Sequence, residues 1–389
     1  MIDQNYLNKF GENRYNQMIS TSIITDEPLF EEYKDIIEMK FLKEMGGLAS
    51  WSSIIYDLYY YLEMIQRIDF FSKYYFHALS PKARNISSVK LIFVHKTHLF
   101  VYDPLTDRIH VHEQNYFEGL DPEKDYLVIL NDNRQLQRFY GDFSCMLGLL
   151  NTGHFLYNLE HVLQAHQIRT KEITQKISFS APKEQVTIPY AIEIAADQEY
   201  HLCKEDIKQQ AVSKEFMNRT SEQNIRGDAV TGVVLPSEVH TEIFKAFQSA
   251  ADSYPGIKLW CFVDHVLDVE SGFYQISQEV SLVKAESQSV YKELLQEYQD
   301  FTNLEGMNYW LFLTFEKNKQ KYDQYFVQIG RIAQHLSVIA ARYGLAARGM
   351  KNYNDLNVKK KFNLTDETII GYSVNIFEAL NTSHSLMLK

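Results

Sequence analysis

Arg219, Thr220 and Ser221 stand side by side in the chain. A guanidinium with a neighbouring hydroxyl suits a phosphate, because a charged planar fork and a short donor then meet one anion together. Other residue types that do chemistry are present without the spacing it needs. His110 and His112 alternate and so share one strand face, but no third ligand is spaced for zinc, and a surface strand is the expectation. His161 and His166 lie on a helical stretch without the HExxH arrangement. Cys145, Cys203 and Cys261 are far apart and form no CxxC pair, which reads as reduced core thiols and no metal site. The sequence holds no GxGxxG after a strand, no P-loop and no GxSxG. Tyr59-Tyr60-Tyr61 falls in an aromatic-rich helix expected in the core or at a contact between halves, with stacking on a substrate as the alternative.

The elements that position these residues come from a chain of 389 residues, long enough for two domains, whose apolar fraction of 45% supplies a globular core. Tyrosine (26) and phenylalanine (24) suit a large aromatic core and a surface that stacks on a flat ligand. A formal charge of −11, with lysines and arginines scattered, leaves no basic field for a phosphate backbone and disfavours nucleic acid as a partner. The polar start Met1-Ile2-Asp3-Gln4-Asn5 and the lack of any apolar run near the ~20 residues of a bilayer span point away from secretion and membrane insertion, towards the cytoplasm.

One repeat of long period organises the rest. Ser88 to Val94 and Leu99 to Pro104 read as a strand, a turn and a second strand, and so do Gly256 to Val263 and Gly272 to Ile276. The apolar run Tyr126 to Leu130 answers Tyr309 to Leu313. A helix follows in each copy, carried by Gly153 to Ile168 and by Gly330 to Leu345, and a last strand is matched between Val186–Ile194 and Thr368–Ile376. The order predicts an α+β fold, a tandem duplication in which each half has a mixed or antiparallel sheet covered by helices. A cut near residue 197 gives halves 1–196 and 197–389.

Asn218-Arg219-Thr220-Ser221-Glu222-Gln223, then Gly272-Phe273-Tyr274, then Gly330 to Leu336 and Gly344-Leu345-Ala346-Ala347-Arg348-Gly349 follow one another as the motifs of a known family do. In this order the chain resembles the nitroreductase-like FMN oxidoreductases, and within them the SagB-type azoline dehydrogenases of thiazole/oxazole-modified peptide clusters. The resemblance implies an FMN phosphate gripped by Arg219, Thr220 and Ser221, with Gln223 where a second basic residue is usual, and further flavin contacts from Arg348 and Gly349. It also implies that a flavin lies between two copies of the fold. The second half has the Arg219 grip, and the first half has Ser80-Pro81-Lys82-Ala83-Arg84-Asn85 where the complementary loop belongs. Pro81 and Asn85 are therefore expected at the flavin, as one composite site per chain within an intrachain pseudo-dimer. Lys359-Lys360-Lys361 reads as an exposed turn, with a place near the flavin phosphate as the alternative.

The family is associated with a Lys-Tyr pair at the chemical step, and Lys321-Tyr322 matches it, the lysine as base and the tyrosine as hydrogen-bonding partner. The register of the first half, from Phe139-Tyr140-Gly141-Asp142 to Gly153, would instead place Lys317-Asn318 there, leaving Lys321 in a solvated run. What the resemblance implies is an FMN-dependent oxidoreductase that oxidises thiazolines or oxazolines of a ribosomal peptide to azoles, in the biosynthesis of an antibiotic-type product. Its partners would be that peptide and a cyclodehydratase or leader-binding protein, and the sequence leaves homodimerisation of whole chains open. Two alternatives stand beside it: an NAD(P)H-dependent nitro- or quinone-reductase, and a flavin-free scaffold or peptide-binding subunit.

Overall fold

A computed structural model describes residues 2–3, 7, 29–30, 33–44, 51–69, 76–113, 116–173, 177–180, 185–194, 214–221, 232–277, 279–286, 290–294, 304–317, 322–379 and 385–387. The chain divides into two compact units. An amino-terminal unit comprises Gln17–Ser213 with Ser385–Lys389, and a carboxy-terminal unit comprises Lys214–His384 with Met1–Asn16.

The amino-terminal unit contains β1 (Asp35–Glu38), α1 (Ser52–Leu62), β2 (Val89–His95), β3 (His98–Asp103), β4 (Arg108–His112), β5 (Asp125–Asp132), α2 (Ser144–Ala165), β6 (Thr170–Glu172) and β7 (Val186–Ile194). Its main sheet runs β1-β4-β3-β2-β5-β7-β6, antiparallel throughout. The central strands β2 and β5 are almost unbroken apolar runs because both faces are covered. Ile92, Val94, Val128 and Leu130 meet Tyr116 and Phe117 on one face, and α2 packs against β2 and β5.

The carboxy-terminal unit contains α3 (Ser237–Asp252), β8 (Lys258–Val263), β9 (Gly272–Ile276), β10 (Val280–Ala285), β11 (Tyr309–Glu316), α4 (Tyr322–Arg342), β12 (Leu345–Met350), α5 (Asp355–Lys361) and β13 (Thr368–Glu378). Its sheet runs β10-β9-β8-β11-β13-β12, again antiparallel. α4 packs on β12, β13 and α3. The opposite face is aromatic: Trp260, Phe262, Phe273, Trp310, Phe312 and Phe362 form one buried cluster. Its two indoles are satisfied by hydroxyls, Trp260 Nε1 donating to Thr314 Oγ1 and Trp310 Nε1 to Ser373 Oγ, each at 3.0 Å.

The two units trace the same path. β2-β3-β4 answers β8-β9-β10, a fourth strand joins on the other side, a long helix follows, and the last strand pairs outside the fourth. Even an irregularity recurs. The β5–β7 pair shifts register between Thr187 and Tyr190, and the β11–β13 pair shifts between Leu313 and Thr314, opposite Tyr372 and Ile370. Pro189 and Gly371 occupy these bulges, the one with no N–H for the ladder and the other at a point where a Cβ would come 2.3 Å from Ile329 Cδ1.

Two boundaries differ from the sequence reading. Gly153 and Gly330 do not open helices, since α2 begins at Ser144 and α4 at Tyr322. Met146, Leu147, Gly148, Leu149 and Leu150 are all buried, so the first turns of α2 show no amphipathic stripe to read. The stretch from Gly344 to Gly349 is a turn only at Gly344 (φ +72°), after which β12 runs on as an edge strand.

Candidate functional site

The short helix Lys214–Asn218 packs on α4 and buries Phe216, and it delivers Arg219 and Thr220, each 5% exposed, to the outer edge of the sheet. There the N–H of Ala347 in β12 donates to the carbonyl of Thr220 at 2.9 Å. β12 is the edge strand, so this outward N–H is available to a partner other than the ladder to β13. One backbone bond thereby ties the guanidinium and two hydroxyls of Arg219-Thr220-Ser221 to the strand that carries Arg348 and Gly349. Arg348 is half-buried and pairs with Asn375 in register. Gly349 is covered by a phenol: a Cβ there would lie 2.0 Å from Tyr372 Oη and 2.6 Å from its Cζ. The stretch Arg219 to Ser221 and the pair Arg348 and Gly349, read separately in the sequence, are thus neighbours in one unit.

Tyr322 is the first residue of α4 and is 7% exposed, its ring 6.1 Å from that of Phe315. Burial, with a smaller contribution from Glu367, pushes its phenol up from its ordinary value. Lys321 and Gln223 lie outside the described residues.

Pro81 and Asn85 belong to the amino-terminal unit, on a loop from Ser80 to Ser88 that is pinned along its length. Two buried asparagines of α2 hold it: Asn158 Nδ2 donates to Ser80 Oγ at 2.8 Å, and Asn151 Nδ2 to Ser88 Oγ at 3.0 Å. Asn85 Nδ2 meets the ring of His77 at 2.9 Å. Arg84 and Asn85 adopt left-handed backbone in succession (φ 51° and 56°), a strain that costs roughly 1–3 kcal/mol per residue and that clusters at functional sites.

Two ionisable groups here have no role in the sequence reading, Glu63 and, on the loop itself, Lys82. Glu63, just past α1, is 2% exposed, and its Oε1 accepts the N–H of Leu91 at 2.6 Å. Burial raises its carboxyl to about 7, against the pull of Lys90, Leu91 N–H and Lys82. Burial likewise lowers the Lys82 amine to about 8, opposed by Glu63. No local pattern marks Glu63, whose burial is decided by strands far along the chain.

The remaining sequence candidates are packing residues. The His110 ring lies tilted 4.5 Å from that of Tyr33, and that of His112 lies 5.1 Å from Phe30. His166 Nε2 sits 3.1 Å from Asp57 Oδ2, and the Tyr59 ring packs 5.2 Å from Tyr102. Among the described residues no three His, Cys, Asp or Glu side chains gather to hold a metal. Lys361 is not a free turn cation but bonds Glu286 (3.2 Å) and Glu293 (2.9 Å). Among the described residues no helix is long and apolar enough to cross a membrane.

The fold is nitroreductase-like, of mixed helix and sheet. A solved structure of a protein from Anabaena variabilis named as a nitroreductase matches with a TM-score of 0.70 at 12% identity, over 96% of this chain and 99% of that one. Slighter likenesses, each with a share of one unit's size, are to the E. coli microcin synthetase McbBCD complex with truncated pro-MccB17 (TM-score 0.33, 18% identity, 41% of this chain and 68% of that one) and to the FMN- and NADPH-dependent nitroreductase NfnB of a Sphigopyxis strain (0.28, 13%, 42% and 86%). No family model matches the sequence, and no curated protein does.

The donor set at this edge fits the phosphate end of an FMN. A guanidinium and two hydroxyls in one largely buried stretch match the charge and the acceptors of a phosphate monoester.

Proposed function

We propose that the chain is an FMN-dependent dehydrogenase that oxidises azolines to azoles in a ribosomally made peptide, working beside a cyclodehydratase or leader-binding partner. The observation that carries the reading is the Ala347 N–H to Thr220 carbonyl bond, which joins the phosphate donors to Arg348 and Gly349. The shared strand order and the shared bulge support descent of the two halves, 1–196 and 197–389, from one ancestor. On that reading one FMN serves each chain, held by Arg219, Thr220, Ser221, Gln223, Arg348 and Gly349 and by Pro81 and Asn85 of the other half. When bound, FMN supplies a two-electron acceptor for a hydride from the azoline ring. Arg219 and the two hydroxyls fix its phosphate, which orients the ring system without taking part in electron transfer. Tyr322, protonated at neutral pH as an ordinary tyrosine is, donates a hydrogen bond at the reacting centre, and Lys321 beside it completes the proposed catalytic pair. The Gly272-Phe273-Tyr274 strand, which matches the SagB-type motif, favours this over a simple NAD(P)H nitroreductase.

The test is the spectrum and the substrate. Purified protein is expected to be yellow, to release FMN on denaturation, and to remove two hydrogens from each azoline of a cyclised peptide, read by mass spectrometry. Oxidation of NAD(P)H by nitroaromatics without azoline turnover would replace this reading with a reductase. Colourless protein that retains the peptide would replace it with a scaffold.

A further inference from the structure

The β2–β3 hairpin of the amino-terminal unit carries two histidines that the flavin reading does not use. His95 closes β2 and His98 opens β3, with Lys96 and Thr97 between them and Lys96 in left-handed backbone (φ 53°). The two are register partners, so their side chains leave one face of the sheet with Cβ atoms about 4.5–5.5 Å apart. Two imidazoles so placed can share one ion. A carboxylate also fixes the first of them. His95 Nδ1 lies 2.7 Å from Asp125 Oδ1, and Asp125 Oδ2 accepts Trp51 Nε1 at 2.7 Å. Asp125, the first residue of β5, is the register partner of His95 on its other side, and Trp51 is buried, which anchors this series of bonds in packed structure. A carboxylate on Nδ1 sets the ring orientation and leaves the Nε2 lone pair to a ligand, the arrangement found in metal-binding histidines. His98 Nδ1 lies 3.5 Å from Thr97 Oγ1, so here too Nε2 is the nitrogen left over. The His95 side chain is 24% exposed and His98 is half-buried, so ions from solvent reach both.

We propose that His95 and His98, with Asp125 orienting His95, bind one divalent transition-metal ion of the zinc, copper and nickel class. Imidazole nitrogen suits these ions, whereas calcium and magnesium take oxygen donors. The protein supplies two ligands. Glu113, one step on from the Leu99–His112 pair, is engaged by Lys34 Nζ at 2.6 Å, and among the described residues no three His, Cys, Asp or Glu side chains gather round an ion. The remaining positions therefore go to water or to a donor atom of a second molecule. Such an ion exchanges with solution, unlike those in the closed four-ligand sites that hold folds together. The site stands whether or not the chain binds a flavin.

The test uses the full-length chain, stripped with a chelator and carrying no polyhistidine tag, with zinc chloride alone as the probe. Isothermal titration calorimetry is expected to give one zinc ion per chain. His95→Gln and His98→Gln, both at the turn of the hairpin, should leave the circular dichroism unchanged and abolish saturable binding. His110→Gln should change nothing, because that ring packs against Tyr33. Asp125→Asn, which removes the charge on His95 Nδ1, should weaken binding about 10–100-fold. One equivalent of cupric ion should show nitrogen coupling from two imidazoles in its electron paramagnetic resonance spectrum, a readout that a change in stability does not mimic. No saturable binding by the wild type, binding that survives either His95→Gln or His98→Gln, or copper coupled to a single imidazole overturns the site. Wild-type affinity in a folded Asp125→Asn chain overturns the part given to the carboxylate. Should that variant not fold, the histidine variants and the copper spectrum decide the site without it.

Discussion

Replacing Glu63 by Gln is expected to stabilise the amino-terminal unit at alkaline pH, contrary to the usual effect of removing a charge flanked by two lysines. Glu63 Oε1 accepts the N–H of Leu91, and a glutamine carbonyl keeps that bond. What the substitution removes is ionisation in a site 2% exposed. The carboxyl rises from 4.5 to about 7 on folding, burial outweighing the attraction of Lys90 and Lys82. At about 1.4 kcal/mol per pH unit, this corresponds to roughly 3 kcal/mol. The folded value lies above the unfolded one, so the contribution is complete below pH 4.5 and is lost as pH rises through about 7. Native-state hydrogen exchange of peptides covering β2 and β5 reads it locally. Wild type and variant should match at about pH 4, and the variant should be the better protected by roughly 3 kcal/mol at about pH 8. Weaker protection of the variant at the higher pH would show that the Glu63 carboxylate is a net stabiliser through its lysines, and would refute the burial argument.

Other expectations follow from single contacts. Gly349→Ala drives a Cβ into the Tyr372 phenol, 2.0 Å from its oxygen, and should lower the thermal midpoint by the equivalent of about 1–3 kcal/mol and weaken FMN retention, measured by fluorescence. Asn158→Ala leaves the buried Ser80 hydroxyl without its donor and should cost about 1–3 kcal/mol in urea unfolding while raising exchange rates along the Ser80–Ser88 loop. Cys261 is fully enclosed and its thiol is pushed up by burial, so iodoacetamide should modify Cys145 and spare Cys261 until the carboxy-terminal unit unfolds.

What the sequence makes legible here depends on how local the cause is. The runs Leu127 to Leu130 and Leu311 to Phe315 read as strands because apolar residues cover both faces, and a repeat of such runs is visible without knowing the fold. β6 is exposed at every position and β10 at nearly every one, so neither carries a periodic signal, and only pairing to β7 and β9 makes them strands. The start of α2 was hidden because its first turns are buried all round. At the site, Arg219-Thr220-Ser221 is recognisable from residue type alone. Its tie to Ala347 is a backbone bond between distant segments and leaves no mark on side-chain identity. The near-neutral values of Glu63 and Lys82 come from desolvation by packed strands, a property of the assembled unit that no motif encodes.

The most direct measurement is the number of FMN molecules released per chain, with Arg219→Ala as the control. One flavin per chain, lost on that substitution without loss of folded structure by circular dichroism, is the expected result. Two flavins per chain, or a single one indifferent to Arg219, would contradict a phosphate grip at the edge of β12.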